Sequence, residues 1–503
     1  MRAASYNRVR LARSPWRFLA ILTFLLVGLV AVLVMTNLLD DVVSVFILAS
    51  MLVMLSIPFV QGYARGDFCL FEPVNVTAIV FLLAYPFQVL YGLAFSNYSV
   101  PSVLRYLEDP ELLRRGLLYC AIGFGIYFLA YYRTPRVILQ IWSHPSPNSD
   151  VHISEWRIIA VFLIGWLFRV VMIVTGNFGT FYTWSGYDPN TATLLWILSH
   201  LIWFAYILAW VTWLQTPTRR TVLVLVLALT LAEGGYHLVI SASKTFLAYL
   251  FLFPIMAFSL VRRRISSVAI LAFAVTLVFF VFPFIANIRL LHGDWKPESG
   301  NLAGQVEVAW QAAKNTIDHL HESATQDVVE STIGRWHGFQ SLAVIVAEVP
   351  DQIDYLYGRD ALLLPFALIP RAIFPWKPES QGGEVFSSRI YQGGAAVSPY
   401  PIGEGYLNGG LVGIIVLMAI LGCLQRWYYS SFYKPREGRP FVLAAYIYLF
   451  FTMSNFDSSL IVGYVALVQN VAIVALIFFL LFRPMGTRGG EFPSPSIADR
   501  DHK

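Results

Sequence analysis

Apolar residues in this chain come in long unbroken runs, not in alternating or three-and-four spacing. A hydrocarbon layer about 30 Å thick asks for roughly 20 such residues per helix. Twelve runs answer that demand, at residues 18–36, 42–60, 74–95, 116–132, 158–175, 192–214, 221–240, 245–261, 268–288, 402–424, 441–456 and 460–482. Stretches such as VLVLVLALTLA leave no polar face, which excludes the ten-residue alternation of a membrane barrel. The pattern predicts an all-α polytopic membrane protein with about 12 transmembrane helices. Its parts are a basic N-terminus at 1–17, nine spans within 18–288, a large loop at 289–401, three spans within 402–482, and a tail at 483–503 whose polar composition predicts disorder.

Composition agrees with the pattern. Hydrophobic residues make up 57% of the 503 and charged residues 13%, where soluble domains carry about 25% charged residues. Placing alternate connections on opposite sides gathers 22 Lys and Arg on one face. The short connections of the other face hold only Arg105, Arg114, Arg115 and Lys244. The positive-inside rule then predicts that both termini are cytoplasmic and that 289–401 is extracytoplasmic. The net charge of +5 comes from those cytoplasmic connections and suggests no nucleic-acid partner. The first run is about nineteen residues long and is followed by no small-residue cleavage site, so it reads as an uncleaved helix. Cys69, Cys120 and Cys423 lack paired spacing and read as free thiols. No internal repeat is visible.

A loop of this length implies its own structure or a task. Residues 303–331 and 338–349 have helical composition, the second closed by Pro350. The loop is acidic overall, with 13 acidic and 8 basic residues, so an anion site there must come from local clusters. Two exist: Arg335 in GRWH, and Arg371 with Lys377 in ALIPRAIFPWKPES. The second stretch is too short and too rich in proline to span, so it is expected to lie along the outer surface or to dip in and return, where protein or water covers the backbone. Its cations could hold a lipid-linked phosphate; snorkelling at an interfacial anchor explains them equally well. Lys244 and Arg289, at outer ends of helices, could join them or snorkel likewise. Arg169 lies inside a span, where an Arg costs about 2.5–3.5 kcal/mol on insertion scales. Glu233, with His237 four residues on, is its expected partner, in a structural bridge or as part of a site.

The stretches GRDALLLPFALIPRAIFPWKPES and SPYPIGEGYLNGGLVGIIV resemble the oligosaccharide repeat-unit polymerases of bacterial O-antigen and exopolysaccharide synthesis. In these an Ile-Pro-Arg stretch ending in Lys-Pro precedes a Glu-containing, Asn-Gly-rich helix start. The likeness is clearest over about 330–425; the turn at Ser243 and Lys244 is also similar, although Arg is commoner there. The resemblance implies a fold like that of the lipid-dependent, GT-C-like membrane glycosyltransferases. It also implies an enzyme in the bacterial inner membrane that joins undecaprenyl-pyrophosphate-linked oligosaccharides, one as donor and one as acceptor, without a cofactor. A chain-length regulator is an implied partner. Arg335, Arg371, Lys377, Lys244 and Arg289 are the expected pyrophosphate ligands, since charge-assisted contacts strengthen as the leaving group gains charge.

The attacking hydroxyl calls for a base, and Glu404 and His337 are the first candidates; Arg371 completes the expected catalytic set. Glu404 near a helix start is also favourable on electrostatic grounds alone. Asp457 is a reserve base or a turn former. His319 and His321 point to different helix faces, and Asp351 with Asp354 is the nearest approach to a metal-holding pair, so a metal-independent reaction is expected. Gly405, Gly409 and Gly413 form a GxxxGxxxG pattern, whose usual meaning is close helix packing. The aromatic turn at 176–190 could line a glycan path or belong to the interfacial aromatic belt. An O-antigen ligase, another polyprenyl-phosphate-dependent glycosyltransferase, and a transporter or flippase of a lipid-linked or anionic substrate are the competing functions.

Overall fold

The computed structural model describes residues 41–65, 68–94, 109–135, 153–175, 189–238, 244–262, 272–273, 275–293, 302–319, 336–369, 374, 376–377, 385–386, 398–433, 439–454, 456 and 459–479. Among these the secondary structure is helical throughout, with no strand. Among the described residues eight helices are long and apolar enough to cross a bilayer, and Phe279–Ile288, Gly338–Glu348 and Pro440–Ser454 are shorter apolar helices. The chain is a multi-pass membrane protein.

One group of helices packs around the first half of the chain. Helix α1 (Val42–Arg65) is followed by α2, which begins as Pro73–Leu82, widens over Leu83–Phe87 and continues as Gln88–Ala94. The widened turn contains Pro86, whose missing N–H leaves the ordinary helical ladder incomplete at that point. Helix α3 (Pro110–Arg133) starts with Pro110 behind Asp109, whose carboxylate accepts from the amides of Glu111 at 2.9 Å and Leu112 at 3.3 Å. Arg114 of α3 pairs with Asp41 at 3.0 Å, tying the starts of α1 and α3 at one end of the bundle.

A second group surrounds α6 (Leu201–Gln215), which is apolar on every side and buried along nearly its whole length, as such a helix must be. Its neighbours are α4 (Glu155–Val174), α5 (Pro189–Ser199), α7 (Arg220–Tyr236) and α8 (Lys244–Arg262). Helix α9 (Phe282–Gly293) packs on α10 (Leu302–His319). The short α11 (Gly338–Glu348) is buried from Gly338 to Val346, against α2, α3 and α12 (Tyr400–Tyr428). Helix α13 (Pro440–Ser454) joins the two groups, touching α2, α6, α8 and α14 (Leu460–Ile477).

Polar groups inside this apolar mass are matched across helices, as buried polar groups must be. The Gln425 carbonyl accepts from Thr77 Oγ1 at 3.1 Å and from the Tyr127 hydroxyl, while its amide donates to the Met453 carbonyl at 3.0 Å. One side chain thereby links α2, α3, α12 and α13. At the end of the bundle opposite Asp41, the Tyr131 hydroxyl donates to Glu72 at 2.7 Å and Arg426 lies 3.6 Å from the same carboxylate.

Candidate functional site

Helix α12 is broken near its beginning. Gly409 (φ 174°) is extended and Gly410 (φ 61°, ψ −142°) is left-handed, so Tyr400–Asn408 forms a short limb that folds back on the long limb starting at Leu411. The fold is tight enough that a Cβ on Gly405 would lie 2.8 Å from Ile414 Cα, and one on Gly413 would lie 2.0 Å from the Gly405 carbonyl oxygen. The glycine pattern therefore serves close packing within a hairpin, not along one face of a straight helix. Asn408 closes the short limb by donating to the Glu404 carbonyl at 2.8 Å and accepting from the Gly358 amide at 3.0 Å. The Leu356 amide takes the Leu407 carbonyl at 3.0 Å. Tyr357 and Tyr400 both have positive φ, a conformation costing about 1–3 kcal/mol where it occurs outside glycine.

Glu404 lies in this limb and is fully buried. Its carboxylate accepts from Ser459 Oγ at 2.7 Å, the Leu460 amide at 2.6 Å and the Ile461 amide at 3.3 Å, while Ser459 Oγ accepts in turn from the Val462 amide at 3.5 Å. Together the two side chains satisfy the orphan donors of the first turn of α14, and the carboxyl oxygens face the positive end of that helix. With both oxygens engaged and no exposure, Glu404 serves as a cap on another helix. Helix α11 is capped in the same manner, with Gln88 Oε1 accepting from the amides of Phe339 at 3.0 Å and Gln340 at 3.2 Å. His337, just before α11, sets its ring edge-on to Tyr400 at 5.0 Å, beside the start of the short limb.

The segment after Gly358 runs as a tight helix over Arg359–Phe366 against α14. Gln469 donates to the Ala367 carbonyl at 2.7 Å, nine residues into α14 and hence roughly 14 Å along it. The segment thus descends to about the middle of that helix. Leu362, Leu368 and Trp376 are exposed on it, Phe374 stacks on Phe366 at 5.2 Å, and Lys377 Nζ donates to the Ile369 carbonyl at 3.3 Å. Trp376 is set edge-on to Phe374 at 6.0 Å.

A second polar centre sits where α4 and α7 end and α8 begins. Arg169 Nη1 reaches both oxygens of Glu233, at 2.8 and 2.7 Å, and both side chains are buried. The guanidinium carbon lies 4.2 Å from the Tyr236 ring centre and 5.4 Å from that of Trp166. His237 Nε2 is 3.4 Å from Glu233, and its ring stacks against Phe246 at 4.9 Å and Trp203 at 5.4 Å. His200 bonds the Trp196 carbonyl through Nδ1 at 2.8 Å. These groups line a small hollow, with about 10 Å³ of enclosed space and a mouth that is partly open.

Of the other expected residues, Arg335, Arg371 and Asp457 lie outside the described residues, as do His321 and the turn at 176–188. Lys244 begins α8 and Arg289 lies in α9, with only their backbones described. Asp351 and Asp354 stand in the loop after α11, and no group of three or more metal-binding side chains occurs among the described residues. Sequence reading missed Gln88, Asn408, Ser459 and His200. The Asn-Gly-Gly run was a turn signal for the break, and Ser459 preceding an apolar run was a cap signal.

A family model described as a domain of unknown function (DUF8712) matches residues 170–431, more than half of the chain. The chain belongs to this family. The DUF8712 region begins one residue after Arg169 and contains Glu233, His237, α11 and the whole α12 hairpin. No curated protein and no solved structure matches the chain.

Proposed function

We propose that this chain is a membrane glycosyltransferase acting on undecaprenyl-pyrophosphate-linked oligosaccharides, and specifically a repeat-unit polymerase of O-antigen or exopolysaccharide. In this reading it crosses the bacterial inner membrane twelve times in a GT-C-like arrangement, with both termini cytoplasmic and 289–401 outside. The observation that carries the reading is the dipping segment on α14. A lipid-linked substrate needs an apolar surface reachable from the bilayer and cations close by for its phosphates. Exposed Leu362, Leu368 and Trp376 supply the first, on the same run that bears Arg371 and Lys377.

The reaction breaks the bond between the donor's anomeric carbon and its pyrophosphate oxygen and forms a glycosidic bond to an acceptor hydroxyl. The departing pyrophosphate carries away the electron pair, and Arg335, Arg371 and Lys377 would stabilise its growing charge. The hydroxyl proton goes to a base. Glu404 and His337 are the first candidates; the bonds that engage Glu404 on α14 favour His337, which lies edge-on to Tyr400.

The test is incubation of purified protein with a defined undecaprenyl-pyrophosphate oligosaccharide. A ladder of longer lipid-linked products is expected, lost in Arg371→Ala and in Arg335→Ala; an undiminished ladder in both variants removes the assigned site. Transfer to a lipid A core instead would indicate the ligase. The transporter reading draws on the intramembrane Arg169 and Glu233 pair and on the broken helix, both at home in transporters. Translocation of the labelled lipid across proteoliposomes without longer products would favour it.

A further inference from the structure

Arg169 and Glu233 are more than a bridge, because the guanidinium is only partly engaged. Both bonds to Glu233 leave from Nη1, and no partner for Nη2 or Nε is found among the described residues. A guanidinium carries five donor N–H groups, so most of this one is available at a position 4% exposed. His237, 2% exposed, has no hydrogen bond at Nδ1 among the described residues. Both side chains line the same hollow, together with His200, Ser199, Trp196, Trp203 and Phe246. Buried polar atoms such as those of His237 are costly unless something bonds to them.

From this we propose that the hollow between α4, α5, α6, α7 and α8 is a binding site for a phosphate group. The enclosed space holds about one water-sized atom, which suits one phosphate oxygen, with the rest of the group in the mouth. Arg169 supplies directed donors through Nη2 and Nε, the geometry in which Arg recognises phosphate. Glu233 holds the guanidinium from behind through Nη1. His237, packed against both Trp203 and Phe246 with Nε2 toward Glu233, donates from Nδ1 as the imidazolium, and Ser199 and His200 stand at the wall. Trp196, about two-fifths exposed, marks the rim where an attached lipid or sugar would lie. The hollow shares no lining residue with the segment on α14, and the proposal does not depend on which group the chain transfers.

The phosphate could belong to a polyprenyl lipid or be free in solution, and the probes distinguish these. Full-length protein in detergent is titrated with farnesyl phosphate, with inorganic phosphate, and with phosphatidylcholine as the zwitterionic control, and occupancy is read by native mass spectrometry. Binding of farnesyl phosphate well below the inorganic phosphate concentration required assigns a lipid ligand; equal binding of inorganic phosphate assigns a free one. Removing charge-assisted donors should weaken either by about tenfold or more. The variant is Arg169→Met combined with Glu233→Gln, which removes the pair together so that no lone charge is buried. His237→Phe, which keeps the stacked ring and removes its nitrogens, gives a second reading in a chain with the ion pair intact. Loss in both variants supports the site. No phosphate binding to the parent chain, an adventitious level equal to phosphatidylcholine, or unchanged affinity in both variants overturns it.

Discussion

At the scale of single residues, two buried charges have opposite employments. Arg169 needs Glu233 to exist inside the bundle, so Arg169→Ala is expected to cost about 3–5 kcal/mol by stranding the carboxylate. The double replacement with Met and Gln should cost much less, and thermal unfolding in detergent would show the difference as a coupling between the sites. Glu404 instead completes the first turn of α14. Glu404→Gln keeps an oxygen acceptor for those amides and should preserve ladder synthesis to within a few-fold, whereas loss of a general base would cost about 10²–10⁴-fold; initial rates on the same substrate decide. The Arg169 partnership could be read from the sequence because a charge in an apolar span demands a partner of opposite sign at its depth. The task of Glu404 could not, because its partners lie 55 to 57 residues away and local pattern offered a nearer helix start.

Among the elements, the hairpin in α12 makes the clearest prediction. In a straight helix the three glycines at four-residue spacing would be equivalent. Here a methyl on Gly413 meets the Gly405 carbonyl, a methyl on Gly410 meets left-handed backbone and lies 3.0 Å from the Tyr355 hydroxyl, and a methyl on Gly409 meets nothing within 4 Å. Gly413→Ala and Gly410→Ala should each lower the unfolding midpoint clearly, while Gly409→Ala leaves it near the parent value. Equal losses at 409 and 413 would restore the straight helix. The sequence announced close packing through its glycine spacing and announced a turn through Asn408-Gly409-Gly410. Choosing between them required knowing that Gly358 and Tyr355 wait at the bend, which is tertiary information.

For the whole molecule, the apolar runs made the all-helical membrane class legible, since hydrocarbon thickness acts on composition directly. What the runs concealed is that α11 is buried among long helices although it comes from a stretch whose composition reads as an outer loop. Sidedness is testable on α3, whose ends carry Arg114 and Arg133. Arg114→Cys is expected to react with an impermeant maleimide on intact cells, and Arg133→Cys only after permeabilisation; the reverse would turn the molecule over and move 289–401 to the cytosol.

The double anchoring of the short limb, by Glu404 on α14 and Asn408 on Gly358, also fixes a count. One residue added between Asn408 and Gly413 would rotate the long limb by about 100° and carry Gly413 away from the Gly405 carbonyl. Surface connections lengthen at little cost, so insertions among family members should fall there and spare this stretch. A relative whose alignment opens a gap inside it would have abandoned the bend, and with it the seat for the start of α14.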